Sequence, residues 1–324
     1  MLRQLIQRSP LIFFILFSFI PSILSAQNPA IIWQQQYGGT GDDRMNDLLG
    51  LENGAYIGAG FTTSSDGDIS ANNGGQDGWV LRMDAGGDLL WEVAIGGNDT
   101  DLFNAIEVTE DGGFLLLGTS FSTESELGTA KGDSDIFLVK INSEGAIIWS
   151  KLFGGSGKDV GIDLTAIGER RYAIAGYTFS ADGDFAENKG DRDACLLVVN
   201  ETGDLIWAKT YGGSDEEVFN AVKFETQSQK IIAVGFTRSE DGEIQENKGF
   251  SDFWVAQMAV ESGELLQENT YGGTSSDKGI AAVLLEDGGM AILGETLSSN
   301  GQVTDYQGQG DLWLIKIAAD GSIK

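Results

Sequence analysis

One unit recurs five times along this chain. An apolar or aromatic residue followed by two glycines appears as Tyr37-Gly38-Gly39, Ile95-Gly96-Gly97, Phe153-Gly154-Gly155, Tyr211-Gly212-Gly213 and Tyr271-Gly272-Gly273, at steps of 58, 58, 58 and 60 residues. An acid stands four residues after each second glycine (Asp43, Asp101, Asp159, Glu217, Asp277). A lone glycine then closes an apolar run (Gly60, Gly118, Gly176, Gly235, Gly294). Seventeen residues beyond it comes an aspartate in every copy: Asp77, Asp135, Asp193, Asp252 and Asp311. Repetition at this period means one supersecondary unit used many times, because a single unit cannot bury its own apolar face.

Each unit offers four short β-type runs, here A to D, clearest in the second copy: Phe103 to Thr109, Phe114 to Ser120, Ile136 to Ile141 and Ile147 to Phe153. Glu110-Asp111-Gly112-Gly113 joins A to B and Asn142-Ser143-Glu144-Gly145 joins C to D, both with hairpin-turn chemistry, whereas B reaches C through about fifteen residues. Run B is almost continuously apolar and D is mixed, which places B in the interior and D at an outer edge. Four antiparallel strands grading from buried to exposed, repeated radially, describe a propeller blade. The fold expected is therefore all-β, a five-bladed β-propeller with four strands per blade. The first D-type run, residues 31–37, precedes any A strand, and the last copy reaches Lys324 where a D strand would begin. The N-terminal strand is expected to join the C-terminal blade and close the ring, which leaves no open sheet edge. The blades then cover 43–95, 101–153, 159–211, 217–271, and 277–324 plus 31–37.

Residues 1–26 read as a signal peptide: Arg3 and Arg8 precede an apolar run from Leu11 to Ile20 that ends in Ser25-Ala26-Gln27. One domain, 27–324, is expected to follow, exported to the periplasm or cell surface. The chain holds 49 acidic and 20 basic residues, a net charge of −29. Such a field repels nucleic acid and anionic membranes and attracts cations or basic partners. There is no histidine, so Ser-His-Asp and Cys-His nucleophiles and His-ligated zinc are excluded. The single cysteine, Cys195, forms no internal disulfide.

The pattern W-x-x-x-[YF]-G-G-[ST]-x-x-D, then D-G-G-x-x-x-x-G-x-T, then D-x-[WF]-[LV]-x-K resembles the secreted β-propeller repeat proteins of Bacteroidetes and related bacteria. Trp207 to Ser214, Glu286-Asp287-Gly288-Gly289 and Asp311 to Lys316 carry it here. The resemblance covers about residues 31–324. It implies a scaffold without shared catalytic residues.

The long B-to-C loops and the D-to-A connections emerge on one face, and with them the recurring acids. Asp77, Asp135, Asp193, Asp252 and Asp311 read as loop caps accepting backbone N–H groups, and so do Asp43, Asp101, Asp159, Glu217 and Asp277. The local runs Asp66-Gly67-Asp68, Glu124-Ser125-Glu126, Asp182-Gly183-Asp184 and Asp241-Gly242-Glu243 add further oxygens to this face. A calcium ion would take its ligands from Asp66, Asp68, Asp182, Asp184, Asp241 and Glu243. In the fifth copy Asn300-Gly301-Gln302 has lost both charges, so such an ion would not occupy every blade. Trp79, Phe137, Trp254 and Trp313 in the C runs, and Trp33, Trp91, Trp149 and Trp207 in the D runs, read as packing between blades. The loop aromatics Phe121, Phe179, Phe250 and Tyr306 suit a ligand platform better. The function expected is a non-catalytic binding or adhesion scaffold, most simply a monomer, that presents its acidic loop face to a protein or glycan. The alternative is a glycosidase-like enzyme using paired carboxylates.

Overall fold

Alternating short β runs and glycine turns give, among the described residues, strands only. The first sheet is β1 (Asp43–Gly50), β2 (Tyr56–Thr62), β3 (Asp77–Met83) and β4 (Leu89–Ile95); the second is β5 (Asp101–Val108), β6 (Phe114–Ser120), β7 (Asp135–Ile141) and β8 (Ile147–Phe153). The third is β9 (Asp159–Ala166), β10 (Arg171–Thr178), β11 (Asp193–Asn200) and β12 (Leu205–Tyr211); the fourth is β13 (Glu217–Glu225), β14 (Lys230–Thr237), β15 (Asp252–Ala259) and β16 (Leu265–Tyr271). The fifth has three strands, β17 (Asp277–Leu284), β18 (Met290–Thr296) and β19 (Asp311–Ile317). All pairings within sheets are antiparallel and sequential. This computed structural model describes residues 30–124 and 128–324, so the expected signal peptide and Glu126 lie outside the described residues. The chain divides into residues 1–34 and the unit Gln35–Lys324, which holds every strand. No helix of the described residues is long and apolar enough to cross a membrane.

The lone glycine of each copy has a steric cause. The A strand of every sheet carries a bulge, as between Phe103 and Ala105, which turns a backbone carbonyl over the B strand. A Cβ on Gly118 would overlap the Leu102 carbonyl oxygen, and Gly60, Gly176, Gly235 and Gly294 meet the same obstacle. In the A–B hairpin, Gly112 has φ +80°, a conformation that costs glycine nothing.

Consecutive sheets pack face to face, with each A strand lying against strands A, B and C of the sheet before it. The A strands follow one another and the D strands do not, which is a radial arrangement with A innermost. The apolar cores lie between sheets. Phe219 of the fourth sheet, for example, packs with Ala173, Leu196 and Val198 of the third. The C-strand aromatics lie in these seams: Phe103 stacks on Phe137 at 5.7 Å, Phe219 on Trp254 at 4.8 Å, and Phe253 meets Trp313 at 4.7 Å. The D-strand tryptophans reach further, their indole N–H groups donating to carbonyls of the next sheet's C–D turn: Trp91 to Ser143, Trp149 to Glu201 and Trp207 to Val260. Cys195 is fully buried as a small apolar group.

The expected closing strand is a correction. Residues 31–37 form no strand, and the fifth sheet keeps three. Ile31 and Ile32 are exposed, and Tyr37 at the end of the run packs on the apolar cluster of Trp79 and Leu81. The fifth sheet consequently shows an apolar face. Leu312 and Leu314 are 73% and 64% exposed, while Phe253 and Val255, which hold the same places in the fourth sheet, are 0% and 3% exposed.

Candidate functional site

Register puts the first residue of A, the last of B and the first of C side by side in every sheet, as with Asp43, Thr62 and Asp77. The D-to-A and B-to-C connections therefore leave from one end, and that loop face gathers the acids singled out above that lie among the described residues.

The C-strand aspartates cap the loops that precede them. Asp77, Asp135, Asp193, Asp252 and Asp311 accept the backbone N–H of Asn73, Lys131, Lys189, Lys248 and Gln307 through Oδ2. The A-strand acids cap the glycine pair: Asp43, Asp101, Asp159, Glu217 and Asp277 accept the N–H of Gly39, Gly97, Gly155, Gly213 and Gly273. Hydroxyls of the B-to-C loop add to this, as Ser180 does to Asp159 at 2.8 Å. Neighbouring sheets are also tied by backbone, with the N–H of Asp159 donating to the Ser134 carbonyl at 2.8 Å and the N–H of Asp277 to that of Ser251 at 2.7 Å.

Two carboxylates meet at each of four junctions: Asp77 with Asp101, Asp135 with Asp159, Asp193 with Glu217, and Asp252 with Asp277. A Cβ on the glycine between them would strike both at Gly96, Gly154 and Gly272, and at Gly212 would strike Glu217 and press on Asp193. All eight are buried, and Oδ1 of Asp77, Asp135, Asp193 and Asp252 has no hydrogen-bond donor. Burial first, with the neighbouring carboxylate adding to it, raises Asp77 above the usual range and pushes Asp135, Asp193 and Asp252 up to about 6.

The residues expected to hold calcium are engaged with backbone. Asp66, Asp182 and Asp241 accept the N–H of Thr40, Ser156 and Ser214 at 2.8, 2.6 and 2.7 Å, and Asp68, Asp184 and Glu243 accept the N–H of Gly38, Gly154 and Gly212 at 3.0, 2.9 and 3.0 Å. The neutral fifth copy makes the same bonds, for Asn300 accepts from Thr274 and Gln302 from Gly272, both at 2.9 Å. An acceptor oxygen is what these positions share. Among the described residues no group of three or more Asp, Glu, Cys or His side chains converges as metal ligands would.

The loop aromatics do not gather as one platform. Phe179 lies edge-on to Tyr177 at 6.0 Å, Phe250 carries Arg238 over its ring at 4.5 Å, and Lys158 lies over Phe121 at 5.9 Å. What the sequence reading missed is the arginines. Arg192 lies over Tyr177 at 4.8 Å and shares Glu216 Oε2 with Arg238, at 3.4 and 2.7 Å. The signal for them was present as departures from the repeat: Arg192 stands where other copies have Gln76, Ser134, Ser251 and Gly310.

No known family model matches the chain, and no curated protein does. Solved structures of similar architecture include the Neurospora crassa Pan2 WD40 domain, 11% identical with a TM-score of 0.46, over 86% of this chain and 64% of that one. The Bombyx mori β-fructofuranosidase BmSUC1 is 12% identical with a TM-score of 0.39, over 89% and 63%. The Fusarium graminearum α-L-arabinofuranosidase Arb93A is 8% identical with a TM-score of 0.43, over 88% and 98%. The chain thus spans less than two thirds of the first two. The architecture rests on the five sheets themselves, and the chemistry on the residues of the loop face.

Proposed function

We propose that this protein is an exported, non-catalytic binding scaffold that presents its loop face to a protein or glycan partner. The carrying observation is that the recurring acids of that face are occupied as acceptors of backbone N–H, alike from sheet to sheet, while unlike residues such as Phe250 and Arg238 stay at the surface. The reading is favoured over a glycosidase because the paired carboxylates that recur are sealed from solvent, whereas glycoside hydrolysis needs two acids flanking a substrate bond. A screen of residues 27–324 on a glycan array, with a parallel affinity capture from periplasmic and surface fractions, tests it. Turnover of a glycoside by the purified chain would overturn it.

The acids of the Asp-Gly-Asp loops act here as hydrogen-bond acceptors, with no ion required for the bonds they make. Asp182→Asn keeps the acceptor oxygen and is expected to shift stability by less than about 1 kcal/mol, with chelator and added calcium leaving the melting temperature unchanged. A midpoint that rises with calcium in the wild type and not in Asp182→Asn would place an ion at this loop.

The open apolar face of the fifth sheet supports closure of the ring onto the first sheet, since its side chains hold places that are buried at the other junctions. Leu312→Ala reads this out. With closure the substitution is expected to cost about 2–5 kcal/mol; a loss below about 0.5 kcal/mol would mean that the face stays open.

A further inference from the structure

The loop face is acidic and repetitive except at one place. Where the third and fourth sheets meet, Arg192 and Arg238 converge on a single carboxylate oxygen of Glu216. Two guanidinium groups thus face one carboxylate, on a chain of net charge −29. Each guanidinium offers five donors in a planar fork; Nε of both arginines is buried without a hydrogen bond, so the donors open to a ligand are those of the partly exposed Nη groups. Aromatic rings surround the pair. Arg192 lies over Tyr177 at 4.8 Å and Phe236 at 5.8 Å, and Arg238 lies over Phe250 at 4.5 Å. Phe250 is nonetheless 61% exposed and Phe179 is also exposed, which is unusual for side chains of their size.

The position is built by backbone rather than by chance side-chain collapse. Arg192 and Glu216 face each other in a parallel bridge, the N–H of Glu217 donates to the Arg192 carbonyl at 2.9 Å, and the N–H of Arg238 donates to the Glu216 carbonyl at 2.9 Å. The same backbone bonds recur at the other junctions, but there the residues at the place of Arg192 are neutral.

We propose that this cluster is a binding site for an acidic sugar, with the carboxylate of a uronic acid residue taken by the Nη donors of Arg192 and Arg238 and its ring laid against Phe250. A carboxylate is the anion indicated because one, that of Glu216, already sits on both forks, and planar guanidinium matches planar carboxylate. A sugar is indicated over an acidic peptide because the exposed ring beside the forks asks for a flat apolar ligand face. The proposal rests on the reading of the loop face as a binding surface and names what that surface takes. The overall charge repels a polyanion at long range, and physiological salt screens that repulsion beyond about 8 Å. Affinity is therefore expected to hold or rise between low and physiological salt.

The test is titration calorimetry with oligogalacturonate on the mature chain. Binding of oligogalacturonate, none of its methyl ester, and a loss of about tenfold or more in Arg192→Lys/Arg238→Lys and in Phe250→Ala are expected, with melting temperatures near wild type. The double lysine variant keeps the charge and removes the forks. Equal binding of poly-glutamate would overturn the sugar assignment, equal binding of a sulfated oligosaccharide the carboxylate assignment, and unchanged affinity in the folded variants the location. If oligogalacturonate fails while the glycan array or affinity capture finds another ligand for the loop face, this inference falls and the scaffold reading stands; if nothing binds that face, both fall.

Discussion

Acidification from pH 7 to pH 5 is expected to raise the melting temperature of this acidic protein. Asp135, Asp193 and Asp252 are held at about 6 in the folded chain, against about 3.9 when unfolded. A carboxyl whose folded value lies above its unfolded one contributes stability that is complete below the unfolded value and is lost as pH rises through the folded one. Each of the three is therefore expected to add roughly 1 kcal/mol between pH 7 and pH 5. They sit at different junctions, so the contributions add to about 3 kcal/mol, or about 6 °C for a chain of this length. The first cause is burial, and the neighbouring charges add to it: Asp135 faces Asp159 and Asp184 with Lys131 offsetting them, Asp193 faces Glu217 with Lys189, and Asp252 faces Asp277 and Glu246 with Lys248. The rise reverses below about pH 4, where the unfolded chain takes up protons that groups with lowered values, such as Asp111 at about 2 through its hydrogen bond from Lys140, do not yet accept in the folded one. Asp135→Asn supplies permanently, as an amide N–H, the donor that protonation supplies transiently as an O–H. It is expected to be at least as stable as wild type at pH 7 and to show about a third less gain on acidification. Calorimetric scans at several pH values measure this, and a melting temperature that falls steadily from pH 7 to pH 5 would refute it.

Phe219→Ala should be among the most damaging single changes in the chain. The ring is 0% exposed, stacks on Trp254 at 4.8 Å and touches Tyr211 at 5.9 Å, so it lies in the core that joins the third and fourth sheets. Truncation removes the transfer energy of an aromatic ring and leaves a cavity whose walls, being strands held in ladders, relax little. A loss of about 3–5 kcal/mol is expected, read by denaturant unfolding followed through tryptophan fluorescence. Tyr211 also donates its hydroxyl to the Gly263 carbonyl at 2.6 Å, across the same seam, so a partial collapse toward the cavity would strain that bond too. A loss under about 1 kcal/mol would mean that the sheets do not depend on this seam, contrary to a fold whose cores lie between sheets.

Local rules wrote much of this protein, because its repeat is built from short-range chemistry. Gly112 and Gly145 mark hairpins that a two-residue period flanks, and the strands fall where those turns require. Phe114 to Leu117 read as a doubly buried strand and are one. The acids four residues after each glycine pair were legible as caps because the bond spans only four residues, Asp101 to Gly97 for instance. Even the loop acids carried their meaning in sequence, since Asn300 and Gln302 preserve the acceptor and drop the charge.

The tertiary structure alone decided what distant residues do to one another. Asp135 and Asp159 look like two separate caps in sequence; only the approach of consecutive sheets at Gly154 makes them a buried pair with one oxygen unsatisfied. Arg192 and Arg238 are 46 positions apart, and nothing local announces that one carboxylate will hold both. The N-terminal run 31–37 has the pattern of an outer strand yet forms none, and the fifth sheet keeps β19 as its edge; pattern alone does not pair a strand. Periodicity fixes which residues can bond within reach of a turn; packing between sheets settles the charges, cavities and partners that no single repeat contains.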